Sequence, residues 1–235
     1  MSYRCETLTV EGFVQQIACS YLRHGYWWYV TGVIPPEKIP EAVDEKLIRR
    51  YEIDRSERRR ATAKRKGQAN MQYLRCGRFF VLLATKGDHV FKDAERDQVR
   101  DIRRVPLRFA GYSISYRRGG RTRAGEPDPR WHSHVEIDRP QYLMVRDLFL
   151  DRAVHRRAET LARELRRVEF EPYAPVRRQL LSILRHVNRK RKVHGFEPVP
   201  LEAIRLRRRV VKPFAGDAAA PSASSPPPLP SAGGA

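Results

Sequence analysis

A chain that carries 47 Lys and Arg against 27 Asp and Glu, a formal charge of +20, folds only if it keeps its cations apart or pairs them with something outside itself. Of those bases, 38 are Arg, and a GC-rich codon usage would inflate Arg, Ala, Pro and Gly together. The charge is therefore informative only where the bases cluster. Clustered guanidinium groups point to a polyanion, and nucleic acid is the expected partner, against the simpler alternative of a solvated basic surface.

Ten Tyr, nine Phe and three Trp in 235 residues are enough apolar material for a real core. No apolar run approaches the ~20 residues that span a bilayer, and residues 1–11 lack the apolar stretch of an export signal. A soluble, cytoplasmic protein with no membrane partner is expected. Cys5, Cys19 and Cys76 form no Cys-x-x-Cys pair, so neither a disulfide framework nor a cysteine zinc site is suggested.

Apolar periodicity divides the chain into elements. Val10, Phe13, Ile17 and Leu22 give a first amphipathic helix over 9–23, and Tyr26–Ile34 reads as a strand ended by Pro35-Pro36. Ile39, Val43, Leu47 and Tyr51 predict a helix, whereas 71–75 and 78–85 predict paired strands joined at Cys76-Gly77. A weaker helical pattern covers 93–103. Strands are then expected over 107–116 and 131–137. Asp138 and Pro140 open one long helix whose apolar stripe runs to Leu165, and a last helix covers about 175–192. The fold class expected is α+β, an antiparallel sheet with flanking helices and a C-terminal helical pair. The expected organisation is a sheet core with basic arm and loop over 1–138, a basic helical segment packed on it over 139–213, and a disordered Pro/Ala/Ser-rich tail over 214–235. That tail could also meet a protein partner.

Three segments concentrate the bases. Residues 54–67 contain Arg58, Arg59, Arg60, Lys64, Arg65 and Lys66 with no apolar stripe, and read as a basic arm that orders against phosphates or as an exposed linker. Residues 117–130 form a long Gly-containing loop with Arg117, Arg118, Arg121 and Arg123 ahead of its first acid, flanked by Tyr112, Tyr116 and Trp131. Those aromatics either stack on bases or belong to the core. The last helix ends in Arg185, Arg189, Lys190, Arg191 and Lys192, a concentration beyond what complementing the helix dipole requires. These clusters describe a grip on the phosphate backbone, and no base-reading motif accompanies them.

Walker A, dinucleotide, nucleophile-elbow, H-E-x-x-H and EF-hand motifs are absent from the sequence. One constellation remains, Trp131-His132-Ser133-His134-Val135-Glu136 on an expected strand. Alternation there puts His132, His134 and Glu136 on one face with Cα atoms ~6.6 Å apart, a spacing compatible with a divalent ion. At these residues the chain resembles the His-hydrophobic-His single-strand DNA endonucleases of replication initiators and small transposases. The resemblance covers one strand and the following helix, with Ser133 where that family has a bulky apolar residue. It implies Mg²⁺ or Mn²⁺ at the two histidines and a nucleophilic tyrosine, Tyr142 or Tyr173. The alternative functions are thus a metal-dependent strand-transfer enzyme of a mobile element, or a structural subunit of a ribonucleoprotein. Binding alone requires no cofactor.

Overall fold

The computed structural model describes residues 3–120 and 125–214. The chain is α+β, with its strands divided between two sheets. β1 (Glu6–Thr7) leads into α1 (Val10–Gln15), whose N-cap Thr9 accepts from the Gly12 amide. The helix continues as a π-helical stretch, Gln16–Tyr21, and a 3₁₀ turn that stops at Gly25 with φ 87°. Then come β2 (Trp28–Val33), α2 (Pro40–Arg50), α3 (Glu57–Arg65), β3 (Met71–Cys76), β4 (Phe79–Ala84), α4 (Val90–Ala94) and β5 (Arg100–Asp101). The second half holds β6 (Leu107–Phe109), β7 (Tyr112–Arg118), β8 (Trp131–Ile137), α5 (Arg139–Arg152), α6 (Ala158–Arg166) and α7 (Ala174–Val193).

The larger sheet has the order β1-β3-β4-β2-β5 and is mixed, since β1 pairs parallel to β3 while the other neighbours are antiparallel. β3 and β4 meet through the two-residue turn Gly77-Arg78, and Gly77 supplies the positive φ such turns need. Because side chains alternate, this sheet has a core on each face. Val30, Met71, Tyr73 and Leu82 join Tyr51, Ile53 and Phe91 on one side. Tyr29, Leu74, Val81 and Leu83 face the larger core, which includes α1, the second sheet and α5 to α7. The helices α5 to α7 share this continuous core with the sheet.

The smaller sheet, β6-β7-β8, is wholly antiparallel. The single strand expected over 107–116 is a hairpin, because Ala110 and Gly111 both take positive φ, 45° and 78°, and reverse the chain. On β8, the Ile137 amide donates to Gln179 Oε1 at 2.8 Å and the Gln179 amide returns a bond to the Ile137 carbonyl at 2.9 Å. The Ser133 hydroxyl donates to the Ala18 carbonyl, which ties β8 to the π-helical stretch.

Three further expectations are corrected. The pattern over 93–103 ends its helix early, at Ala94, and yields β5, which pairs with Trp28 and Tyr29. The long helix expected from 138 to 165 breaks between Arg152 and Ala158. Phe214 packs against the larger core, so it does not belong to the tail; residues 215–235 lie outside the described residues. Its neighbour Pro213 runs so close to Gly12 that a Cβ there would stand 3.2 Å from the Pro213 Cα.

Not every arginine is at the surface. Arg75 on β3 is 2% exposed and bonds Asp44 at 2.9 Å and Glu6 at 3.0 Å, while the Tyr73 hydroxyl donates to the same Asp44 carboxylate. A buried ion pair of this kind holds only when its donors and acceptors are satisfied, as they are here.

Candidate nucleic-acid interface

The expected arm is a helix. Ser56 caps α3 by accepting from the Arg59 amide, and only Ala63 of the helix is buried, so the element is attached by little apolar contact. Arg58, Arg59, Lys64 and Lys66 are exposed and make no ion pair with any described carboxylate. Arg60 differs, donating to the Ile53 carbonyl at 3.0 Å, and Arg65 donates to the Thr62 hydroxyl at 3.3 Å. Beside the helix lies a groove of about 540 Å³ lined by Arg55, Arg58, Arg59 and Lys66. The carboxylate on its wall, Glu52, is bound to Arg55 at 2.5 Å, and that contact holds its pKa below the usual range.

The end of α7 divides its bases between two roles. Arg185, Arg189 and Lys192 are exposed. Arg191 is 3% exposed and donates to the carbonyls of Ala153 at 2.6 Å, Arg156 at 2.9 Å and Glu197 at 2.5 Å. Lys190 donates to the Leu150 carbonyl at 2.9 Å. These two cations bind carbonyls at and just beyond the C-terminal end of α5, in the segment where the chain breaks before α6. The guanidinium of Arg191 faces the protein interior, not a phosphate.

Around the β7–β8 hairpin, Arg117 and Arg118 are exposed, whereas Arg121 and Arg123 lie outside the described residues. Tyr112 is a core residue, 2% exposed, whose hydroxyl accepts from the Glu171 amide. Tyr116 and Trp131 belong to a stack. The Arg103 guanidinium, held by a forked bond to Asp101, lies 4.4 Å from the Trp27 ring centre. Trp27 stacks on Tyr116 at 5.8 Å, Tyr116 on Trp131 at 5.8 Å with planes 20° apart, and the Arg118 guanidinium lies 5.9 Å from the Trp131 centre. Cross-strand register produces the outer part: Arg118 stands opposite Trp131, and Tyr116 is its diagonal neighbour. The stack begins at the half-buried Arg103 and Trp27, passes through the buried Tyr116 and ends at Trp131, which is 40% exposed.

Trp131 and Tyr116 form one wall of a cleft of about 600 Å³. Arg23, Arg177, Arg208 and Tyr173 line the rest, and no Asp or Glu does so among the described residues. Arg208 donates to the Tyr173 hydroxyl at 3.0 Å and to the Cys19 sulfur at 3.3 Å. Arg177 donates to the Leu206 carbonyl at 3.0 Å, and Arg23 makes no hydrogen bond or ion pair through its side chain with any described residue. Burial pushes the Tyr173 phenol up to about 12, so it stays protonated at neutral pH. The cleft escapes a reading of the sequence because its cations come from three distant segments. Arg177 and Arg208 are visible there only as members of basic runs, and Arg23 has no signal at all.

β8 does place His132, His134 and Glu136 at alternate positions, opposite Arg117, Ser115 and Ser113. Their nearest partners differ. His132 Nε2 lies 3.1 Å from Asp128, whose carboxyl Arg130 holds well below the usual range. His134 Nδ1 lies 3.9 Å from Glu136, and burial lowers the pKa of its imidazole. Among the described residues, no group of three His, Cys, Asp or Glu side chains converges to hold a metal ion. Tyr142, on α5, packs half-buried against the larger core, away from the cleft lining, while Tyr173 and His132 both border the cleft. Compared with known proteins, the chain matches no family model, no curated protein and no solved structure.

Proposed function

We propose that this protein binds nucleic acid by gripping the phosphate backbone. The observation that carries the reading is the distribution of unpaired cations: Arg58, Arg59, Lys64 and Lys66 on α3, Arg118 on the hairpin, and Arg185, Arg189 and Lys192 on α7 are exposed without carboxylate partners among the described residues. Cations left in this way repel one another in the free protein and release counterions when they meet phosphates. The carboxylate-free cleft adds three arginines to the same surface chemistry. The test is fluorescence anisotropy of nuclease-treated protein with labelled single- and double-stranded DNA and RNA across a salt series. Affinity is expected to fall linearly on a log-log scale, by ~0.7–0.9 in slope for each phosphate contacted. A salt-independent affinity, or no binding to any of the four probes at low salt, would overturn the reading.

One observation favours a second reading, phosphodiester transfer: Tyr173 and His132 border the same cleft. It predicts a covalent protein–strand adduct, with or without added Mg²⁺ or Mn²⁺, that disappears in Tyr173→Phe. Intact probes and no adduct exclude it.

A further inference from the structure

We infer that the cleft beside Trp131 is a nucleobase site, in which an unpaired base stacks on the exposed end of the Arg103–Trp27–Tyr116–Trp131 column while Arg23, Arg177 and Arg208 face its sugar-phosphate. The inference rests on the proposed nucleic-acid binding and assigns the cleft a role that charge alone does not supply.

The Trp131 ring already has stacking partners within the protein. Tyr116 stacks on it with planes 20° apart, Tyr116 in turn rests on Trp27, and Trp27 carries the Arg103 guanidinium locked by Asp101. A planar ligand meeting this column loses little side-chain entropy in the protein, since the platform does not have to be assembled. The ring also accepts planar partners: the Arg118 guanidinium sits 5.9 Å from its centre, exposed and without a carboxylate partner among the described residues. A base has the same planar habit with a larger π-face, and stacking of this kind tolerates any base. Displacing Arg118 would free its charge for a neighbouring phosphate.

The remaining walls suit the rest of a nucleotide. With a volume of about 600 Å³, the cleft is of the size that holds a small ligand, and its cations face no lining carboxylate. Arg177 and Arg208 are held by hydrogen bonds to Leu206 and Tyr173, so they too are positioned before binding. The α3 groove offers a contrast, because its lining of Arg55, Arg58, Arg59 and Lys66 includes no aromatic side chain. That groove meets charge only.

The experiment compares a labelled oligoadenylate strand of about 12 nucleotides with an abasic strand of equal length and charge, a length within single-strand site sizes. Wild-type protein is expected to bind the intact strand about 10-fold more tightly, with quenching of tryptophan fluorescence. Trp131→Ala should reduce the intact strand to the abasic level and remove the quench, Trp131→Phe should restore most of the preference, and Arg23→Gln should weaken both strands alike. Equal wild-type affinity for the two strands, or a preference that survives in Trp131→Ala, would overturn the nucleobase site and leave backbone binding standing. Failure of the wild-type protein to bind either strand would also overturn the nucleobase site, and the proposed function would fall with it only if the double-stranded probes were not bound either.

Discussion

The end of α7 and the helix α3 look alike as strings of letters and differ as objects. In the first, Lys190 and Arg191 turn inward and bind the carbonyls of Leu150, Ala153, Arg156 and Glu197. In the second, Arg58, Arg59, Lys64 and Lys66 are exposed, and the helix is held by a Ser56 cap, one buried alanine and the hydrogen bonds of Arg60 to Ile53 and Asn70. The partner of a cation need not be an acid. Backbone carbonyls at a helix end present partial negative charge and open lone pairs, and they are invisible in a sequence because every residue has one. A run of bases therefore reports two quantities mixed together, the charge offered to a partner and the charge the fold consumes.

Arg191→Ala should produce the largest effect on folding. It removes one side chain from three carbonyls in a 3% exposed position, and urea unfolding is expected to show a loss of about 3 kcal/mol. Arg191→Lys sharpens the comparison, since it keeps the charge and loses the fork. If the lysine variant were as stable as the wild type, charge rather than donor geometry would explain the end of α7.

A smaller effect is expected where the helix terminus is capped by a neutral ring. His89 Nδ1 accepts from the Phe91 amide at 3.1 Å at the start of α4, and burial lowers its pKa from the ordinary 6.5. Protonation would remove that acceptor. Because the folded-state value lies below the unfolded one, this contribution is complete above 6.5 and is lost as pH falls through the folded value. The stability difference between wild type and His89→Asn, whose amide keeps an acceptor without titrating, should therefore narrow or reverse as pH is lowered toward 5. A difference independent of pH would remove His89 from the account.

Neutralising Arg58, Arg59, Lys64 and Lys66 to Gln should change folding least, by under about 0.5 kcal/mol, with any change stabilising at low salt. The same protein should show a salt slope for nucleic acid flattened by ~0.7–0.9 per lost contact, up to about 3 in all. Arg191→Ala, studied where it remains folded, should leave that slope unchanged. If the two variants exchanged these phenotypes, the comparison would be wrong.

The same distinction explains how far the sequence could be read. The β3–β4 hairpin and α2 are legible because their apolar periods and the Gly77 turn are local signals. The break between α5 and α6 is not, because Leu161 and Leu165 continue the apolar stripe and the interruption is stabilised by Arg191, about 35 residues downstream. β5 is equally hidden, since Arg100 and Asp101 become a strand only by pairing with Trp28 and Tyr29. For the site, the clusters and Trp131 are visible, and the cleft is not. It is made by bringing residues near 20, 116, 131, 173 and 208 together, which is a property of the fold rather than of any window along the chain.

The bonds between Gln179 and Ile137 have one more consequence. β8 is the last strand of its sheet, and an outer strand with free amides and carbonyls is a template on which another chain can crystallise into a shared sheet. The Gln179 side chain imitates one residue of such a chain, taking the amide and the carbonyl of Ile137 together, and the Ser133 hydroxyl fastens the same strand to the π-helical stretch. The molecule thereby covers part of its own open border with material from within, so that a second chain seeking to extend this sheet at Ile137 meets a position already filled.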